Sequence, residues 1–317
     1  MTRIVVTGGA GRLGRSLVTG LVERGHAVVS LDRAVSDAPE LRGVGQVAVD
    51  LTDAAAARDA VAGAEADALI HLAAIAVPFS APEDVILRTN AALALNTMTA
   101  GVEAGISRIV TASSPTVIGY GAPAGWSIDR LPIDEQTPTA PWNAYALSKL
   151  LAEQTMRMLH RQTGDATRFA AFRPCYVIAP EEWAGAPTQQ GHTVAERLDD
   201  PALSAPALFN YVDARDVATF VDVLLTAMTD IPNGEVFFVG ADDALARRPL
   251  AELLPQYVPG TTAEASVLTG TTPAFSNAKA KRLLGWAPRH TWRDELDAHP
   301  RRAHHSGSPG PRPREKS

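Results

Sequence analysis

The sequence predicts an α/β fold, a doubly wound parallel sheet with a smaller C-terminal lobe. Three observations carry this expectation. Short runs rich in Val, Ile and Leu alternate with Ala/Leu-rich segments of helical period, the pattern of a parallel sheet covered by helices on both faces. A glycine-rich turn lies between the first such run and the first helical segment. After Pro174 the alternation gives way to an irregular stretch punctuated by proline.

Arg3–Thr7 reads as the first strand, followed by a helix over 12–24. Ala27–Asp32, 46–49, 68–72 and Arg108–Ala112 follow as strands, with helices over 54–62 and 86–104 between them. A further helix opens after Pro138 and Pro141 and carries Tyr145. Strands at 168–173 and Glu235–Val239 flank a helical run at 214–228. Two segments interrupt this order: 181–208, with Trp183, Gly185, Pro187, Gly191, His192, Pro201 and Pro206, and 250–296, broken by Pro255, Pro259, Pro273 and Pro288. The expected division is discontinuous: 1–178 with 209–240 builds the sheet domain, 179–208 with 241–299 the lobe, and 300–317 a tail. Open parallel sheets bind ligands at the carboxyl ends of their strands, where such a lobe would close over them.

Composition narrows the class. The chain has 317 residues, 46% of them hydrophobic and 20% charged, with one cysteine and a net charge of −6. A lone cysteine excludes an internal disulfide, a cysteine-based zinc site and an iron–sulfur cluster, and no metal is expected. No apolar run is long enough to span a membrane, and the opening Met1-Thr2-Arg3-Ile4-Val5-Val6-Thr7-Gly8 has too short an apolar stretch for a signal peptide. A cytoplasmic protein without membrane contact is the expectation. Arg301, Arg302, Arg312, Arg314 and Lys316 make the tail basic, so the preceding chain is more acidic than the whole. An acidic body argues against nucleic acid as a ligand. The tail, rich in Pro, Gly and Ser, reads as disordered and solvated.

The turn after the first strand reads Thr7-Gly8-Gly9-Ala10-Gly11-Arg12-Leu13-Gly14. Gly8 permits a sharp turn, Gly11 lets backbone approach a pyrophosphate, and Gly14 lets helix and strand pack closely. The helix N-terminus then faces the anion. A Rossmann-type dinucleotide domain follows from this placement, with Leu13 beside the loop. Asp32 ends the second strand, where a carboxylate accepts hydrogen bonds from the adenosine ribose and repels a 2′-phosphate, favouring NAD. Arg33 and Arg12 are the guanidinium groups that could instead meet a 2′-phosphate, so NADP stays open. Asp50-Leu51 after the third strand reads either as an adenine contact or, with Thr52, as a cap for the next helix. His71-Leu72-Ala73-Ala74 closes the fourth strand with small residues that leave room for ribose and phosphates.

Tyr145 and Lys149 share one helix face at i, i+4. A nearby ammonium favours the phenolate and draws a phenol pKa toward neutrality. Ser113-Ser114 follows the fifth strand, where a hydroxyl can hold a substrate oxygen while hydride moves. Ser114 is preferred over Ser113, though either could serve.

Together, Gly8/Gly11/Gly14, Asp32, His71-Leu72-Ala73-Ala74, Ser113-Ser114 and Tyr145…Lys149 come in the order and spacing of an extended short-chain dehydrogenase/reductase. The nearest subgroup it resembles is the NAD-dependent epimerase/dehydratase family. Phe172-Arg173-Pro174, Tyr211-Val212-Asp213-Ala214-Arg215-Asp216-Val217-Ala218 and Lys279…Leu284-Gly285-Trp286-Ala287-Pro288 are similar to further segments of that family, so the likeness runs over about 3–297. The resemblance implies Tyr145 as acid/base, Lys149 as its electrostatic partner and Ser114 as donor to the substrate oxygen. It implies that Asn90 orders cofactor or a water, that Pro174 and Val177 contact the nicotinamide, and that two copies pair through the Asn90 and Tyr145 helices. Trp183, His192 and Trp126 are candidate pocket residues, and Cys175 reads as packing.

Departures from the family pattern shape the expected reaction. Pro115 and Thr116 stand where family 4,6-dehydratases carry an acidic pair, which argues against that elimination. Tyr176 stands where nucleotide-sugar epimerases usually carry asparagine, and Arg197 is the one basic residue between Arg173 and Arg215. The expectation is NAD(P)-dependent hydride transfer at a secondary alcohol of a sugar or sugar-derived substrate, by oxidation, reduction or epimerisation. The alternatives are a reductase or dehydrogenase of a non-sugar ketone or aldehyde, and a redox sensor that binds the dinucleotide without turnover.

Overall fold

The computed structural model describes residues 1–298. The tail expected at 300–317 lies outside the described residues. Strands β1 (Arg3–Thr7), β2 (Ala27–Asp32), β3 (Gly45–Ala48), β4 (Ala68–His71), β5 (Arg108–Ala112) and β6 (Arg168–Pro174) carry the first part of the chain. The short strands β7 (Val177–Ile178) and β8 (Val212–Asp213) and the longer β9 (Glu235–Val239) complete the set. The main sheet has seven strands in the order β3-β2-β1-β4-β5-β6-β9, and every pairing is parallel. This is the Rossmann-type fold that the alternation predicts. β7 and β8 pair separately as a two-stranded parallel sheet. They are too short for a period-two pattern, and the sequence did not announce them.

Strand side chains alternate between faces, and here both faces are dry. Ile4 and Val6 of β1 enter one core, while Val5 enters the other. On the first face lie α1 (Arg12–Glu23) and α7 (Ala214–Ala227); on the second lie α2 (Ala54–Gly63), α3 (Glu83–Glu103) and α4 (Ala144–Thr163). α3 starts three residues before the expected 86 because Glu83 and Asp84 fill its first turn, where acidic side chains suit the helix dipole but add nothing to the apolar period. α2 is capped by Asp53, which accepts from Ala55 N and Ala56 N, and not by Asp50 or Thr52.

The irregular stretch contains α5 (Pro180–Trp183) and α6 (Val194–Asp199). Trp183, Val194, Leu198, Tyr211, Leu245 and Trp292 form a small core of their own. Beyond β9 come α8 (Leu250–Tyr257), α9 (Thr262–Ala265), α10 (Ala278–Leu284) and α11 (Trp292–Ala298). Leu253, Leu268, Phe275 and Trp286 from this segment join the core under α1 and α7. Trp286 stacks edge-on to Phe220 with ring centroids 5.4 Å apart, and its indole N–H donates to Thr219 Oγ1 at 3.0 Å. Among the described residues no helix is long and apolar enough to cross a membrane.

Candidate functional site

Strand order reverses between β1 and β4, and in open parallel sheets the crevice at that switch point holds the ligand. A cleft of about 1030 Å³ opens there, lined at one end by Gly8 and Gly14 and at the other by Tyr145 and Asn210. Gly8, Gly11, Arg12, Leu13, Gly14, Asp32, Arg33, Asp50 and Leu51 all line it. So do Leu72, Ala73, Ala74, Ser113, Ser114, Tyr145, Lys149, Pro174 and Val177.

The glycine turn is held by backbone proximity. Gly8 has φ +75°, and a Cβ there would lie 2.7 Å from Ala73 N. A Cβ on Gly14 would lie 2.1 Å from Gly8 O and 2.7 Å from Gly9 Cα. No side chain caps the N-terminus of α1, whose N-cap is Gly11, whereas α2, α4 and α7 are capped by Asp53, Asn143 and Asp213. The first-turn amides of α1 are thus left for an anion. The residues present fit the pyrophosphate of a dinucleotide.

At the adenosine end, Asp32 accepts from Ala10 N through Oδ2 at 3.1 Å and from Arg33 N through Oδ1 at 2.7 Å. Its carboxylate both braces the glycine turn and borders the cleft. Arg12 lies against the carboxylate of Glu182 on α5, and Arg15 reaches Glu181 at 3.2 Å. Arg12 is half-buried and Arg33 exposed. Asp50 accepts from Thr52 N and Thr52 Oγ1, and those bonds with the Arg33 charge hold its carboxyl below the usual range.

The hydroxyls gather at the carboxyl end of β5. Ser114 Oγ accepts from Thr116 Oγ1 at 2.9 Å and from Thr116 N at 3.3 Å, beside the Tyr145 phenol. Ser113 is turned the other way: its hydroxyl donates to Glu153 Oε1 at 2.6 Å. The geometry thus separates the two serines, with Ser114 facing Tyr145. Lys149 Nζ stands 5.9 Å from the Tyr145 ring centroid and donates to Ala112 O at 3.0 Å.

Burial pushes the Tyr145 phenol up to about 12, against the smaller lowering effect of the Ser114 hydrogen bond. Burial likewise brings the Lys149 ammonium, which donates to Ala112 O, down to about 8. His71, bonded to Thr7 Oγ1 at 2.9 Å, is pulled down to about 3 by burial and then by the Lys149 charge, and so stays neutral.

Glu153 escaped the sequence reading. It lies one turn beyond Lys149 on α4, is fully buried, and accepts from Arg173 Nε at 2.8 Å and Nη2 at 2.9 Å. With the Ser113 bond this anchors the end of β6 to α4 and fixes the wall beside Ser114. The signal was the stripe Tyr145–Lys149–Glu153 at i, i+4, i+8, but an acid on a helix ordinarily reads as solvated. Removing one partner of a buried pair strands the other charge. Glu153→Gln is expected to destabilise the protein by about 3 kcal/mol, read as a lowered midpoint in urea denaturation.

Several expected site residues stand elsewhere. Trp183 is buried in the small core and donates to Asp213 Oδ2 at 2.7 Å, so it does not reach the cleft. His192 is exposed, with its carbonyl taken by Thr188. Trp126 donates to Ile118 O and packs against the main core. Asn90 is buried off the cleft and acts on it indirectly: Oδ1 accepts from Ile75 N at 2.7 Å, and Nδ2 donates to Ile75 O and Ser148 Oγ. It ties the loop after β4 to α4. Cys175 borders the cleft but is buried, and burial pushes its thiol up, which suits packing. The far wall is instead built from Tyr120, Tyr176, Gln189, Gln190, Pro206 and Asn210. Most of these come from segments without period, where a sequence does not reveal which side chains turn inward.

The family model for the NAD dependent epimerase/dehydratase family matches residues 4–240. The chain belongs to that family. It is an enzyme of the extended short-chain dehydrogenase/reductase type. It is 31% identical to a 2-alkyl-3-oxoalkanoate reductase of Stenotrophomonas maltophilia (strain K279a), over 80% of this chain and 74% of that one. It is 28% identical to a UDP-glucose 4-epimerase of Azospirillum brasilense, over 93% of this chain and 89% of the epimerase. Among solved structures it is similar, with a TM-score of 0.68 and 25% identity, to a short-chain dehydrogenase/reductase superfamily protein from Agrobacterium tumefaciens with bound NAD, covering 93% of this chain and 95% of that one. The NAD dependent epimerase/dehydratase family thus includes relatives that act on nucleotide sugars and relatives that reduce other ketones. Of the basic residues lining this cleft, Arg12 and Arg33 lie by the glycine turn and the end of β2, and Lys149 lies beside Tyr145.

Proposed function

We propose that the protein is an NAD-dependent oxidoreductase that interconverts a ketone and a secondary alcohol on a substrate without a nucleotide. The observation that carries this reading is the convergence of the Ser114 and Tyr145 hydroxyls, with Lys149 behind them, in a cleft whose other end is the uncapped glycine turn. NAD, when bound, supplies the hydride donor or acceptor at its nicotinamide. Tyr145, held protonated by burial, gives its proton to the carbonyl oxygen as that oxygen becomes a hydroxyl, and takes it back in the reverse direction. Ser114 donates to the same oxygen and holds it through the change of charge. Lys149 keeps a positive charge beside both groups below about pH 8.

Asp32 receives the adenosine ribose in this reading, and its carboxylate supports NAD over NADP. A nucleoside diphosphate would need several cations at the substrate end; Gln189, Gln190, Pro206 and Asn210 offer none, and Arg197, the cation nearby, stands behind Gln190 and does not line the cleft. One cation set back behind a neutral amide weighs against nucleotide-sugar epimerisation. Residues 179–208 supply Gln189, Gln190 and Pro206 to the substrate end of the cleft, whereas 241–298, expected to share in that lobe, packs on the main core and around Trp183. Two copies would pair through α3 and α4, covering the exposed Leu95 and Leu147.

The reading is tested by following absorbance of the reduced nicotinamide with a panel of ketones, secondary alcohols and nucleotide sugars. Net cofactor oxidation with a ketone is expected, faster with NADH than with NADPH. Product formation from a nucleotide sugar without net change of cofactor would overturn it.

A further inference from the structure

Arg197 on α6 is 1% exposed, yet no carboxylate pairs with it among the described residues. Its guanidinium carbon lies 4.2 Å from the Tyr176 ring centroid, and Nη1 donates to Gln190 Oε1 at 2.5 Å. Nε is buried and has no partner, and neither does the buried Tyr176 hydroxyl. The contrast with Arg173, also buried but held by both oxygens of Glu153, is direct. A ring face and a neutral amide recover only part of the hydration that a buried cation loses.

The unbalanced charge stands behind the substrate wall. Tyr176 and Gln190, the two groups that Arg197 touches, both line the cleft. Arginine has only donors, so its bond fixes the Gln190 amide with the oxygen toward the guanidinium. What Gln190 has left to offer the cleft is its NH₂ group, polarised by the cation at its back. The turn that carries it is held by Thr188, whose N and Oγ1 both donate to His192 O, and by Gly191 at φ +84°. The amide NH₂ and the cation without a counter-charge stand one behind the other.

We propose that the substrate carries a carboxylate that docks on the Gln190 amide NH₂, with Arg197 as its counter-charge. The proposal rests on the reading that this end of the cleft takes the substrate, and it deepens that reading: the substrate is an acid bearing a ketone or secondary alcohol. A sugar acid and an oxo acid share this chemistry, and the test treats them separately.

The NADH-loaded protein is titrated calorimetrically with hexanoate and methyl hexanoate, and with galacturonate and its methyl ester. In at least one pair the acid is expected to bind about ten-fold tighter than the ester, the size of one charge-assisted hydrogen bond. The pair that shows the preference tells an oxo acid from a sugar acid. Gln190→Leu and Arg197→Met are expected to abolish the preference while leaving ester and NADH affinity within about two-fold, and Arg197→Lys to retain part of it. Should Arg197→Met fail to fold, Gln190→Leu, at an exposed position, carries the test. Equal binding of acid and ester in both pairs, absence of binding included, overturns the proposal, as does a preference that survives both substitutions. An acid preference without turnover of any ketone or alcohol would instead sink the oxidoreductase reading and leave the carboxylate subsite standing.

Discussion

Tyr145→Phe is expected to lower kcat by about 10³-fold, within the range for loss of a positioned acid–base group, while NADH affinity changes by less than about two-fold. The substitution removes one oxygen and keeps the ring, which packs with Ile86 and Ala144. The Ser114 hydroxyl remains bonded to Thr116. The change does not reach the glycine turn, the proposed seat of the dinucleotide. Steady-state kinetics and a fluorescence titration of NADH separate the two effects. A variant that turns over at the wild-type rate would remove Tyr145 from the chemistry; one that loses NADH as well would make it a structural residue.

Gly14→Ala should have the second large effect, on binding and not on the chemical step. The added methyl meets main chain, Gly8 O at 2.1 Å and Gly9 Cα at 2.7 Å, so no side-chain rotation relieves it. α1 must move off the turn. Overpacking of this kind costs about 1–3 kcal/mol. Loss of one charge-assisted hydrogen bond from the amides proposed to hold the pyrophosphate is expected to weaken NADH by about two orders of magnitude. Gly11→Ala is the control for stability, because a Cβ there meets only Gly8 O at 3.2 Å. Equal NADH affinity in Gly14→Ala and the wild type would show that the turn does not hold the dinucleotide.

What the sequence revealed followed from periodicity and from residues with one physical use. The strands β1, β2, β5 and β9 stand where the apolar runs place them, since a strand buried on both faces has little freedom in composition. Gly8 and Gly14 were legible because nothing larger fits against Ala73 and Gly9. Trp183 and His192 were misjudged because the stretch after Pro174 has no period, and the direction of a side chain there depends on contacts with distant segments such as Asp213 and Thr188. Glu153 was missed for a related reason: its meaning lies in Arg173, a strand away. Spacing reports the ammonium beside Tyr145 but not how much water burial excludes from the phenol. The choice between Ser113 and Ser114 needed the same kind of knowledge, namely which hydroxyl Glu153 had already claimed.

The segment beyond β9 bears on how far this architecture can be taken apart. Residues 241–298 contribute Leu253, Phe275 and Trp286 to the core that Phe220 and Phe237 share with α1. The family match ends at 240, but the hydrophobic interior does not. A chain cut there would leave the α7 face of the sheet in water, so the matched region is not an autonomous folding unit. Exchange of the C-terminal part between relatives, as a route to new specificity, would therefore have to carry the facing residues of α7 with it.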